Sequence, residues 1–249
     1  MLLHNVARSF VTAAVAVLAS PTISFAAPAA AEASAPGGIP SGDYVFIQKF
    51  EVGSLQVSGS VFSIETVGGN CHVCSIDGVL SGNEGFAGEG ETACHFKTTV
   101  GPGSVRIETP RNSEGCRTYC GMRARFDGEY RMPPATCTDD ARASRLEQAR
   151  LAYRGGEYAK ARLDLRALIS DCGQFTDWIT LDRERNDLAL AELRAGDAAQ
   201  CLEVLAQTRV AGADDEAALG LPPCDKDVYL DVAKSTWNNR KLCKAALGR

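Results

Sequence analysis

Ten cysteines, none of them in the first seventy residues, constrain this chain more than any other feature. They are Cys71, Cys74, Cys94, Cys116, Cys120, Cys137, Cys172, Cys201, Cys224 and Cys243. An even set in an oxidising compartment reads first as disulfides. Six precede residue 138 and four follow it, so each half is able to close its own bridges.

The N-terminus supplies the compartment. One arginine, Arg8, precedes an apolar run from Val11 to Leu18 and a Ser24-Phe25-Ala26 step. This is the anatomy of a secretory signal peptide, expected over 1–26 with cleavage near Ala26. Ser20 and Pro21 interrupt the run well short of the roughly twenty residues a spanning helix needs. Residues 27–41, rich in Ala, Pro and Gly, read as a flexible leader. The expectation is a periplasmic or secreted protein that does not span a membrane, with about 210 residues to fold.

Hydrophobic spacing then divides the chain. Tyr44 and Phe46, Phe62 and Ile64, and Val105 and Ile107 each sit two apart, between Gly-rich turns at 68–69, 82–90 and 101–103. Such runs predict six to eight antiparallel strands with one wet face. From Asp139 the spacing becomes helical. The fold class is therefore α+β with two segregated domains, a small antiparallel β-meander or barrel over 42–138 and an α-helical hairpin domain over 139–249.

NCHVC, residues 70–74, poses the sharpest local question. A metal or thiol-redox site would use Cys71, His72 and Cys74, with Cys94 and His95 as further ligands. Strand parity argues otherwise, because Cys71 and Cys74 differ in parity and their sulfurs diverge unless a turn occupies 71–73. No helix follows Cys74 to favour a thiolate. Cys74 shares a face with Ile76 and Cys94 with Phe96, which predicts a Cys74–Cys94 bridge. Cys116 and Cys120 are four apart and each should join another cysteine, with Cys71 and Cys137 as the pool. The four cysteines of the helical half keep three possible pairings open.

GEYAKARLDLRALI (156–169) and GDAAQCLEVLAQTR (196–209) align at an offset of forty residues. Gly156 matches Gly196, Ala161 matches Cys201, Leu165 matches Leu205, and upstream Tyr153 matches Leu193. The first unit, with Gly156, Tyr158 and Ala161, resembles a tetratricopeptide repeat, and the second keeps the pattern without the aromatic. The resemblance implies stacked helical hairpins with a concave binding face, capped by a last helix over about 227–247. The stretch 116–137 carries Cys120, Gly121, Arg123, Ala124, Phe126, Gly128 and Tyr130 in the order of a motif in secreted bacterial lysozyme-inhibitor-like proteins. That resemblance implies a cysteine-rich β-domain and, as an alternative function, inhibition of a cell-wall hydrolase.

Function classes narrow accordingly. The net charge of −5, with basic residues scattered among acids, disfavours nucleic acid as a partner. No Gly-x-Ser-x-Gly elbow, Walker loop or His-Glu-x-x-His stretch occurs, and Asp139-Asp140 and Asp214-Asp215-Glu216 read as helix-start residues. The chain is expected to be no enzyme, with no cofactor and no metal. It reads as a binding protein whose partner is a protein or a cell-envelope component. Candidate binding residues on the helical face are Asp182, Arg185, Asn186, Trp237, Asn238 and Arg240, since Arg with Asn suits a carboxylate or a peptide backbone. The plainer reading makes Asp182 and Arg185 an intrahelical ion pair and Trp237 part of the core.

Overall fold

The computed structural model describes residues 38–90, 93–111 and 113–248. The expected signal peptide and residues 27–37 lie outside them. Ile39, at the end of the expected leader, is 3 % exposed and packs into the core of the β-domain.

Eight strands follow one another: β1 (Gly42–Gln48), β2 (Glu51–Ser58), β3 (Val61–Val67), β4 (Val73–Ser81), β5 (Glu84–Ala87), β6 (Cys94–Gly101), β7 (Ser104–Glu108) and β8 (Gly128–Arg131). Each pairs antiparallel with the next and β8 returns to β1, closing a barrel. Closure leaves no free strand edge. The period of two decides what fills it: Tyr44, Phe46, Leu55, Phe62, Ile64, Ile76, Phe96, Val105, Ile107 and Tyr130 all point inward and are buried. The ring of Phe96 lies directly over Gly85 on β5, where a Cβ would collide with it. Burial raises the pKa of Tyr44 and Tyr130, and each buried phenol donates to a carbonyl four residues upstream, that of Pro40 and of Phe126.

Between β7 and β8 the chain leaves the barrel wall through a single helical turn, α1 (Glu114–Arg117). This excursion corrects the expected disulfides. Cys74 and Cys94 both face inward as parity requires, yet β5 stands between β4 and β6, so they do not meet. The excursion instead brings Cys120 to Cys74 and Cys116 to Cys94. Cys116 and Cys120 thus join other cysteines as expected, but not Cys71 or Cys137.

Five longer helices follow: α2 (Asp139–Arg154), α3 (Tyr158–Cys172), α4 (Trp178–Arg194), α5 (Ala198–Leu205) and α6 (Pro223–Leu247). The forty-residue repeat is real at the level of hydrogen bonds. In α2/α3 the N–H of Gly156 donates to Tyr153 and that of Glu157 to Ala152; in α4/α5 Gly196 donates to Leu193 and Asp197 to Glu192. Ala161 and Cys201, the matched small residues, are both fully buried where the paired helices touch. Asp177 and Asp197 cap α4 and α5, and Thr138 caps α2 with Asp139 and Asp140 in the first turn.

Three bridges close within a half, but two run between the halves. Cys71 bonds Cys224 and Cys137 bonds Cys172, both across residue 138; Cys201–Cys243 alone lies within the helices. An even count in each half does not fix the pairing, because the parity of a total says nothing about which parts of the chain meet in space. No helix among the described residues is long and apolar enough to cross a membrane.

Candidate functional site

α4 is the central helix, packed by α2, α3, α5 and α6. A helix enclosed on most sides should be apolar, yet Asp182, Glu184, Asn186 and Glu192 are all buried. Buried charge needs partners, and α2, α3 and α6 each supply a side chain that bonds one of these residues. Glu184 accepts from Arg142 of α2 at 2.8 Å, and Glu192 from Arg166 of α3 at 2.6 Å. Desolvation raises the pKa of Glu184 despite the opposing pull of the Arg142 guanidinium. Asn186 donates to the Thr236 hydroxyl and accepts from Asn239, both on α6. These directional contacts fix how the helices sit against one another.

Asp182 belongs to the same bracing. Its carboxylate accepts from Arg185 at 2.8 Å, from the backbone N–H of Arg209 at 2.8 Å, and from the Tyr229 hydroxyl at 2.6 Å. Burial and this carboxylate raise the Tyr229 pKa far above the usual phenol value. Trp237 donates its indole N–H to the Ala213 carbonyl, and Arg240 bonds Val210 and Asp214. Of the six residues singled out in the sequence, Asp182, Trp237 and Arg240 thus hold the loop after α5 and Arg185 pairs with Asp182, while Asn186 and Asn238 line open space.

That space is a groove of about 370 Å³ between α2, α4 and α6, lined by Arg150, Arg183, Asn186, Asp231, Asn238 and Asn239 among others. It continues past Arg150, Asp187 and Leu190 toward Tyr153 and Arg154. Arg150 is held to Asp187 at 2.8 Å. The side chains of Arg183, Asp231 and Asn238 make no hydrogen bond or ion pair among the described residues. Arg183 and Asp231 escape a sequence reading because each looks like an ordinary solvated residue of an amphipathic helix; only the tertiary stacking puts them on one concave wall.

A second cleft, of about 520 Å³, lies at the end of the barrel under the β7–β8 excursion. Arg117, Arg123 and Arg125 line it, with Met122 85 % exposed. Arg125 is tied to Glu51 at 2.7 Å and to Gln48. Met122, Arg123 and Arg125 belong to the 116–137 stretch whose motif stands out in the sequence.

The barrel and helices meet through the β1–β2 turn and the segment before β4. Phe50 sets its ring edge against Trp178, which packs on Tyr229, and the Arg209 guanidinium lies 4.7 Å over Phe50. Cys71 bonds Cys224 while Cys74 bonds Cys120, so the two cysteines of NCHVC serve different disulfides. His72 packs on Gly121, and His95 lies on the outer wall, stacked on Phe86 and 3.5 Å from Glu84. No group of three or more His, Cys, Asp or Glu residues suited to a metal ion occurs among the described residues. Comparison of the chain with family models, with curated proteins and with solved structures finds no match.

Proposed function

We propose that this is an exported, non-catalytic binding protein that engages a protein or cell-envelope partner in the α2/α4/α6 groove, the hairpins acting in the manner of tetratricopeptide repeats. The observation that carries this reading is the pairing of a braced floor with unpaired rims. Asn186 and Asn239 lock α4 to α6 beneath the groove, while Arg183, Asp231 and Asn238 keep their polar ends for a ligand. A rigid wall lowers the ordering cost of binding. Charges of both signs on that wall suit a polypeptide, which offers donors and acceptors along its whole length. The Cys-rich barrel supports the helical array, and the five disulfides of the chain suit an oxidising compartment.

The test is site-specific photocrosslinking in the exported protein. A crosslinker at Asn238 should capture a discrete partner that one at Leu163, exposed on α3, does not, and Arg183→Glu should abolish the capture. Identical adducts at both positions, or none at Asn238, would remove the groove from consideration.

A second reading draws on the barrel-end cleft. Its exposed Met122 and its arginines support blockade of a cell-wall hydrolase, as the lysozyme-inhibitor-like motif implies. A turbidity assay with lysozyme that shows no slowing at excess protein would remove it.

A further inference from the structure

The junction between barrel and helices contains a disulfide unlike the other four. Every other bridge has at least one cysteine that is buried, whereas Cys71 and Cys224 are both only partly buried. Access is the first requirement for attack by an external thiolate. The two sulfurs also have different immediate neighbours. Cys224 is the second residue of the 25-residue helix α6, behind Pro222 and Pro223, where the helix N-terminus favours a thiolate. The Cys71 sulfur lies 3.9 Å from a carboxylate oxygen of Asp225, which disfavours negative charge there. In thiol–disulfide exchange the charge collects on the entering and leaving sulfurs and least on the one attacked. Attack at Cys71 with Cys224 leaving is therefore the favoured direction.

The backbone adds a bias toward opening. Asn70 and Cys71 both hold positive φ, 58° and 55°, a left-handed conformation that Asn tolerates but that strains the Cβ of Cys71. Releasing the sulfur of Cys71 frees this segment to relax.

We propose that Cys71–Cys224 is a thiol–disulfide exchange site, open to a dithiol reductant that detaches α6 from the barrel at this point. One thiolate of the reductant attacks the Cys71 Sγ, the Cys71–Cys224 bond breaks, and Cys224 departs with the electron pair and takes a proton from solvent. The reductant's second thiolate then attacks its own sulfur in the mixed disulfide and expels Cys71, which is protonated in turn. The reductant ends as a disulfide, and the protein gains two electrons and two protons. Cys137–Cys172 still joins the two parts, so opening is local.

The experiment uses the oxidised wild-type protein. It is exposed to dithiothreitol under native conditions, quenched with acid at intervals, alkylated and mapped by peptide mass. Cys71 and Cys224 should be labelled together, roughly tenfold ahead of the remaining eight. First labelling of any other pair, or simultaneous labelling of all ten, overturns the proposal. Glutathione in limiting amount, whose first exchange leaves a mixed disulfide, reads the direction: the adduct is expected on Cys71, and an adduct on Cys224 overturns the assignment of attacked and leaving sulfur.

Discussion

Asn70 and Asp225, 155 positions apart, cap each other: the Asp225 carboxylate accepts the backbone N–H of Asn70, and the Asn70 side chain accepts the N–H of Cys224 in the first turn of α6. The second Asp225 oxygen takes the N–H of Cys71. A capping box normally closes within one helix; this one is assembled from the barrel and the helical array, and Cys71–Cys224 adds a covalent bond to it.

Asp225→Ala leaves two backbone donors of the β3–β4 segment without their acceptor. The expected cost is about 1–3 kcal/mol, read from denaturant unfolding of the oxidised protein. No loss of stability would mean that solvent replaces Asp225 at the junction.

Tyr229→Phe removes the shortest of the three donors on Asp182, and about 1.5–3 kcal/mol should go with it. Asp182→Ala should cost more, since the Arg209 N–H and the Tyr229 hydroxyl lose the same acceptor together. Because the two residues share one contact, the double mutant should be less destabilised than the sum of the singles, by about 0.5 kcal/mol or more in a double-mutant cycle.

The hairpin repeat predicts a matched pair of effects. Gly156 and Gly196 hold φ of 81° and 93°, and a Cβ at either would meet nothing within 4 Å. Alanine at each position therefore adds backbone strain alone, about 1–2 kcal/mol. Unequal costs would show that the two hairpins are alike in sequence but not in conformation.

Glu184 supplies a pH signature. Its pKa is raised in the folded protein, so its protonated form folds more favourably than its charged one. Its contribution is fully present below the ordinary carboxylate pKa and is lost as pH rises through the raised folded value. Stability curves of the wild type and Glu184→Gln should therefore converge, or cross to the variant's advantage, as pH rises across that window. A gap that widens with pH would show that Arg142 dominates the site.

Much of this architecture is readable from spacing. Alternation at 44/46, 62/64 and 105/107 finds the inward face of the barrel, and the alignment of Gly156 with Gly196 finds both helical hairpins. The disulfides are less legible, for a definite reason. Parity tells which face Cys74 and Cys94 occupy, but their partners arrive on the β7–β8 excursion, whose path over the barrel end has no periodic signature. Cys71–Cys224 is hidden more deeply, since nothing local marks Pro222-Pro223-Cys224-Asp225 as a counterpart of Asn70-Cys71. At the groove, Asn238 lies on the open wall, while Asn186, Asp182 and Arg240 make bracing contacts; a polar residue on an amphipathic helix looks the same in sequence whether it faces solvent or a neighbour's carbonyl.

Both the rigid groove and the exchange site depend on a barrel and a helical array pinned together across 153 residues. The measurement that tests this most directly is peptide mapping of the unreduced protein after digestion at low pH, which prevents exchange. A peptide containing Cys71 joined to one containing Cys224, with Cys74 joined to Cys120, is the predicted result. A Cys71–Cys74 bond, or either cysteine free, would contradict the account and return NCHVC to the class of local redox or metal motifs.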